Sequence, residues 1–127
     1  MENFKTEMTR RTKEFALRVL RMCSTTLKGG YEREHVGHQL FRCATSVAAN
    51  FRAACHAKSS VDFLQKMKIC EEEADESWFW IDFAVTAEFI TIPMASALMS
   101  EAHEIACIIS ATCKTARARL NLQKNKK

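Results

Sequence analysis

Apolar residues recur along the chain at steps near 3.6, and the recurrence predicts four helices. Phe4, Met8, Phe15, Val19, Cys23 and Leu27 trace one face of a first helix over residues 4–27. Gly29-Gly30 stops it, because glycine tolerates the left-handed backbone that closes a helix. Val36, Leu40, Cys43, Val47, Phe51 and Ala54 mark a second helix over about 34–57, whose many alanines let a neighbouring helix approach closely. A polar break follows at Lys58-Ser59-Ser60. Ser59 or Ser60 is the expected N-cap of the third helix, with Asp62 placed at its positive end. That helix is the longest expected, about 61–90, with Leu64, Met67, Ala74, Trp78, Ile81 and Val85 as its main stripe. Phe63, Cys70, Phe79, Trp80, Phe83 and Phe89 widen the stripe beyond one face, and a helix apolar on more than one face buries more than one side. The surplus points to contacts between subunits. Ile92-Pro93 breaks the pattern, and Pro93 suits the first turn of a new helix. Leu98, Ala102, Ile105, Ile109, Thr112, Ala116 and Leu120 then define a fourth helix over 94–120. The connections are short, which makes consecutive helices antiparallel neighbours.

Composition agrees. One proline and three glycines in 127 residues leave almost nothing to interrupt helices, so the fold class is all-α. The length fits one domain, residues 1–120, followed by a basic frayed tail, 121–127. No stretch approaches 18 uncharged apolar residues, and the start of the chain lacks the apolar core of a signal peptide, so a cytoplasmic protein is expected. Cys23, Cys55, Cys70, Cys107 and Cys113 lie on or beside apolar stripes and no Cys-x-x-Cys pair occurs. They are expected to be reduced packing thiols.

Charge is segregated in blocks. Residues 1–70 carry 13 Lys/Arg against 6 acids, residues 71–113 carry 9 acids and no Lys or Arg, and residues 114–127 carry 6 Lys/Arg and no acid. Such blocks fit complementarity within or between chains, or an anionic partner for the basic parts. On the first helix Arg10, Arg11, Lys13, Arg18 and Arg21 fall mostly opposite the apolar face. With Lys114, Arg117 and Arg119 they are the candidate nucleic-acid contacts, each able to track phosphates; the competing reading is a merely solvated face.

Catalytic chemistry finds little support. A di-metal carboxylate bundle needs two Glu-x-x-His motifs, and Glu32-x-x-His35 is alone. Cys55 and His56 are adjacent, so on a helix they point about 100° apart and cannot form a nucleophile pair. No phosphate-binding glycine loop occurs, and no cofactor is expected. Most aromatics lie in the apolar stripes rather than on a base-stacking platform, so phosphate contacts would dominate any RNA binding.

The middle of the chain carries a recognisable pattern: Arg42-x-Ala44-x-Ser46-Val47-x-x-Asn50, then Arg52-Ala53-Ala54, Asp62-Phe63, and Glu72-x-Ala74-x-Glu76-Ser77-x-x-Trp80. It resembles the signature of the small four-helix bundle proteins encoded by intervening sequences in bacterial 23S rRNA genes. The accessory variability determinant of diversity-generating retroelements is a relative. The resemblance implies an up-down-up-down bundle assembling as a ring-like homopentamer. In the retroelement relative it also implies binding to a reverse transcriptase and to nucleic acid. The motif residues read as structure: Arg42 pairs with Glu72 or Glu76 between the second and third helices, and Asn50 satisfies a backbone break near the hinge. The expected function is a non-enzymatic oligomeric bundle that binds nucleic acid, structured RNA in particular, through basic surfaces, as an accessory factor to a reverse transcriptase. The alternative is a protein-interaction scaffold whose charge blocks serve subunit pairing.

Overall fold

A computed structural model describes residues 2–126. Four helices account for nearly all of them: α1 (Glu2–Thr25), α2 (Tyr31–Cys55), α3 (Ser60–Thr86) and α4 (Ile92–Asn125). The all-α expectation holds, and the elements follow the four apolar stripes. Several boundaries differ. Gly29 and Gly30 end the 26–30 connection at φ 82° and 109°, and α2 restarts at Tyr31, ahead of the expected residue 34. α3 stops at Thr86, short of residue 90, because Glu88 adopts the left-handed region at φ 63°. The amide of Phe89 then donates to Ala84 O (2.9 Å) and that of Glu88 to Val85 O (3.0 Å), the paired bonds that close a helix in the Schellman manner. α4 continues to Asn125, past the domain boundary expected at residue 120, and residues 121–126 are all exposed.

The start of α3 follows its sequence signal. Ser59 is the N-cap, its Oγ accepting from the Asp62 amide at 3.0 Å. Asp62 Oδ2 accepts from the Lys58 amide in return (3.1 Å), so two otherwise orphaned N–H groups are satisfied reciprocally.

The helices are antiparallel and arranged in the order α1–α2–α3–α4, with α4 returning to α1 along the sparsest seam. Phe4 meets Phe51 at one end of the α1–α2 pair, and Cys23 Sγ lies 3.3 Å from Gly37 O at the other. A Cβ on Gly37 would come 3.0 Å from Leu27 O, so the glycine sets how closely the connection after α1 lies against α2. Between them the bundle buries Met8, Phe15, Leu40, Phe51, Met67, Ile81, Ile105 and Ile109 almost completely. The buried polar side chains Thr12 and Ser77 donate back to Met8 O (2.8 Å) and Glu73 O (2.9 Å), which removes the cost of burying them. Ser77 occupies the core position that the sequence pattern assigned to Trp78, which is 37% exposed. α4 is long and apolar enough to cross a membrane by length and composition, with a mean hydropathy of 1.2 over its most apolar window. In the bundle its Ala95, Leu98, Ala102, Ile105, Ile109 and Cys113 face the core.

Candidate nucleic-acid interface

The sequence motif converges on the lip between α2 and α3. Arg42 NH1 donates to Glu73 Oε2 at 3.0 Å, and its NH2 pairs closely with Glu76 Oε2. The same Glu76 oxygen accepts from Cys43 Sγ (2.9 Å) and from Trp80 Nε1 (3.3 Å). These bonds hold the Glu76 carboxyl below its usual range, the Cys43 thiol most, then the Trp80 indole and Arg42, against the opposing effect of burial. Burial first and the Glu76 carboxylate second push the Cys43 thiol well above its usual range. The expected Arg42–Glu76 pair is therefore present, but Glu72 is not its companion; Glu73 is. Successive helical side chains point about 100° apart, so 73, 76 and 80 share the edge facing α2 while 72 looks outward. The lock lies at the surface, with Arg42 half exposed and Glu73 nearly covered.

Cys43, Glu73 and Glu76 bring three possible metal-ligand atoms within 4.8 Å of one another. The Arg42 guanidinium already supplies their cation, and the raised thiol pKa disfavours the thiolate that a metal needs. Asn50 does not repair a backbone break. α2 runs on to Cys55, and the Asn50 amide donates within the helix to Ser46 O (2.9 Å) and Ser46 Oγ (3.0 Å).

The eight basic candidates do not form one surface. Arg11 is withdrawn from solvent: its Nε and NH2 grip Glu101 at 2.9 and 2.7 Å, and NH2 also meets Glu104 at 2.9 Å. It ties α1 to α4 rather than joining an outer ridge. Arg10 is exposed and paired with Glu7 at 2.6 Å. Arg21 lies 3.9 Å from Glu14, and with Arg18 it falls in the second half of α1. Lys13 is exposed in the groove between α1 and α2. Lys114, Arg117 and Arg119 are exposed on the last third of α4, at the opposite end of the bundle from Arg18 and Arg21.

Antiparallel folding does what the linear pattern hid. The start of α1, the end of α2, the start of α3 and the end of α4 meet at one pole. Lys5 and Arg119 share a cleft there with Cys55, Ser59 and Ser60. Lys58, Lys114, Arg117 and Lys124 are exposed at the same end. Among the described residues none of these cations has an ion-pair partner. Lys5 and Lys58 were missed because each is an isolated cation in sequence; the signal was available by folding the charge blocks antiparallel. The acid-only block forms the other half of α3 and α4, where Glu71, Glu72 and Asp75 line a cleft with His103 and Cys107.

The family model for the 23S rRNA-intervening sequence protein matches residues 5–111. A search of curated proteins finds no match. Among solved structures, the fold is similar to the crystal structure of a protein of unknown function from the S23 ribosomal protein family of Bacteroides thetaiotaomicron. The TM-score is 0.74 at 25% identity, covering 84% of this chain and 97% of that one.

Proposed function

The chain belongs to the 23S rRNA-intervening sequence protein family, and on that footing we propose that it is a non-enzymatic, self-assembling helical bundle that binds structured RNA with its basic pole. The carrying observation is that Lys5 and Arg119 share a cleft at one pole, with Lys58, Lys114 and Arg117 exposed toward the same end, and that none of the five has an ion-pair partner among the described residues. Guanidinium and ammonium groups on exposed helix ends suit phosphate oxygens and carry no base code, so binding is backbone-driven. A homopentamer with parallel bundles repeats the pole five times around one rim, and a patch too weak alone gains affinity by multivalency. A reverse transcriptase, the protein partner that the family resemblance suggests, would then meet the same rim or the acidic half opposite.

Fluorescence anisotropy with a structured RNA over a salt series tests this. Neutralising about five phosphates per protomer lowers affinity by roughly two to three orders of magnitude between 50 and 200 mM salt. The combined change Lys114→Glu, Arg117→Glu and Arg119→Glu abolishes binding, while Arg18→Ala with Arg21→Ala leaves most of it. An affinity flat in salt, or equal loss from both sets, refutes the basic-pole reading and favours a scaffold for protein clients.

A further inference from the structure

Two of the apolar surfaces that the core leaves exposed among the described residues fit one another. One is a groove of about 460 Å³ between the outer edges of α1 and α2. Leu17, Leu20 and Phe41 wall it, each more than a third exposed, and the small side chains of Thr45, Ala48 and Ala49 form its floor. The other is a ridge along the outside of α3. Val61, Ile69, Phe79 and Phe83 recur at near-helical intervals opposite the buried Met67, Cys70, Ala74 and Ile81, and are 42–52% exposed. Glu72 lies on this ridge between Ile69 and Phe79, exposed and without a hydrogen-bond or ion-pair partner among the described residues.

We propose that the α3 ridge of one copy seats in the α1–α2 groove of the next, head to tail around a closed ring. The inference rests on the self-assembly reading above and specifies its contact. Shape fits first: a floor of small side chains admits a ridge of large ones. Charge fits next. Lys13 and Arg52 line the groove and Glu72 rides the ridge, all three without an ion-pair partner among the described residues, so a basic groove faces an acid-bearing ridge.

Height along the bundle is the more demanding condition. Copies in a closed ring are related by rotation alone, so with bundles parallel to the ring axis, touching parts must stand at equal height. Contacts inside the protomer provide the scale. Cys43 meets Glu76 and Val47 meets Cys70, so Ala48 and Ala49 are level with Ile69, and Thr45 is level with residues 72–73. Phe4 against Phe51 and Cys23 against Gly37 place Lys13 beside Thr45, hence level with Glu72. Phe41 and Leu20 stand within about one turn of Phe79 by the same reckoning. Small floor meets Ile69, lysine meets glutamate, and the apolar wall meets the aromatic end, in one register. The two surfaces also lie on different, non-opposed sides of the bundle. Repetition of such a contact turns at constant height, and a ring forms where that rotation closes. Glu72, displaced from the Arg42 lock, acquires a partner in the neighbouring copy.

Two surface variants of the full chain and their mixture test the proposal. Phe79→Glu removes the ridge and Leu20→Glu the groove; both side chains are more than 40% exposed, and helical circular dichroism verifies folding. Sedimentation equilibrium is expected to find the wild type as a ring of 14.5 kDa protomers and each variant alone as a monomer. Their equimolar mixture stops at a one-to-one dimer, because it holds a single intact ridge–groove pair. Lys13→Glu weakens assembly about tenfold and the added Glu72→Lys restores it. Variants that keep the wild-type mass overturn this contact while the assembly reading stands. A monomeric wild type overturns both. A mixture without a dimer, or a double charge reversal without rescue, overturns the head-to-tail pairing.

Discussion

Removing the Arg11 clamp should loosen the seam between α1 and α4 by an amount that the geometry bounds. α1 and α4 share few other contacts, and Arg11 spans them with two hydrogen bonds to Glu101 and a third contact to Glu104. Arg11 and Glu101 are only 20% and 18% exposed. At an effective dielectric near 20, unit charges about 4 Å apart attract by about 4 kcal/mol. Desolvation and side-chain ordering offset much of that, and hydrogen bonds to charged groups retain about 1.5–3 kcal/mol net. Arg11→Ala is therefore expected to cost about 1.5–3 kcal/mol. Glu101→Ala should cost less, because Glu104 remains to hold the guanidinium. The assay is a double-mutant cycle on urea unfolding at fixed protomer concentration, with Arg10→Ala as the exposed control. The Arg11–Glu101 coupling should exceed about 1 kcal/mol, while the control moves the midpoint little. The pH dependence gives a second check. Arg11 holds the Glu101 carboxyl below its ordinary value of 4.5 in spite of burial. A depressed carboxylate stabilises fully above its unfolded pKa and loses that contribution as pH falls through the folded one. The Arg11→Ala deficit should thus be constant at neutral pH and shrink below about pH 4.5. A coupling under about 0.3 kcal/mol, or a deficit that ignores acid, would show that the clamp is incidental.

Three further outcomes follow from local geometry. Gly37→Ala should destabilise by about 1–3 kcal/mol despite its gain in helix propensity, because the added Cβ meets the Leu27 carbonyl oxygen at 3.0 Å; chemical unfolding reads this. Glu88→Gly should stabilise by up to about 1 kcal/mol by relieving the left-handed residue that ends α3, measured as a raised thermal midpoint. A thiol reagent added to the native protein should modify Cys107, the exposed cysteine, first. Cys70 and Cys23, whose thiols burial pushes up to about 12 and about 11, should react only on unfolding.

The helices and their partners were legible because apolar periodicity reports the dominant burial term directly. What was not legible depended on angles finer than that period. The end of α3 was missed because its left-handed residue is Glu88, where a glycine would have signalled the stop. Trp78 was placed inside because it is large and apolar, yet Ser77 lies closer to the centre of the buried face and satisfies its hydroxyl on Glu73 O. Arg11 was assigned to the outer ridge with Arg10 and Lys13. Its neighbours in sequence are exposed, but its own side chain points toward a carboxylate ninety positions away, which no local pattern reveals.

The motif shows how one residue of rotation can divide two roles. Glu72 and Glu73 have the same chemistry and adjacent positions, but about 100° separates them on the helix. Glu73 and Glu76 face α2 and hold Arg42, with Cys43 and Trp80 sharing the Glu76 oxygen. That set fixes the height of α3 against α2. Glu72 faces away from the lock, level with the groove lysine of a neighbouring copy under the ring arrangement proposed above. If the lock slipped by one residue, the ridge would turn with it and Ile69 and Phe79 would leave their register with the groove. Arg42→Ala should therefore weaken assembly as well as the fold, although Arg42 touches no part of the proposed interface. Sedimentation of Arg42→Ala beside Arg10→Ala distinguishes this. Reduced mass in the first and full mass in the second support transmission through the lock, and equal masses refute it.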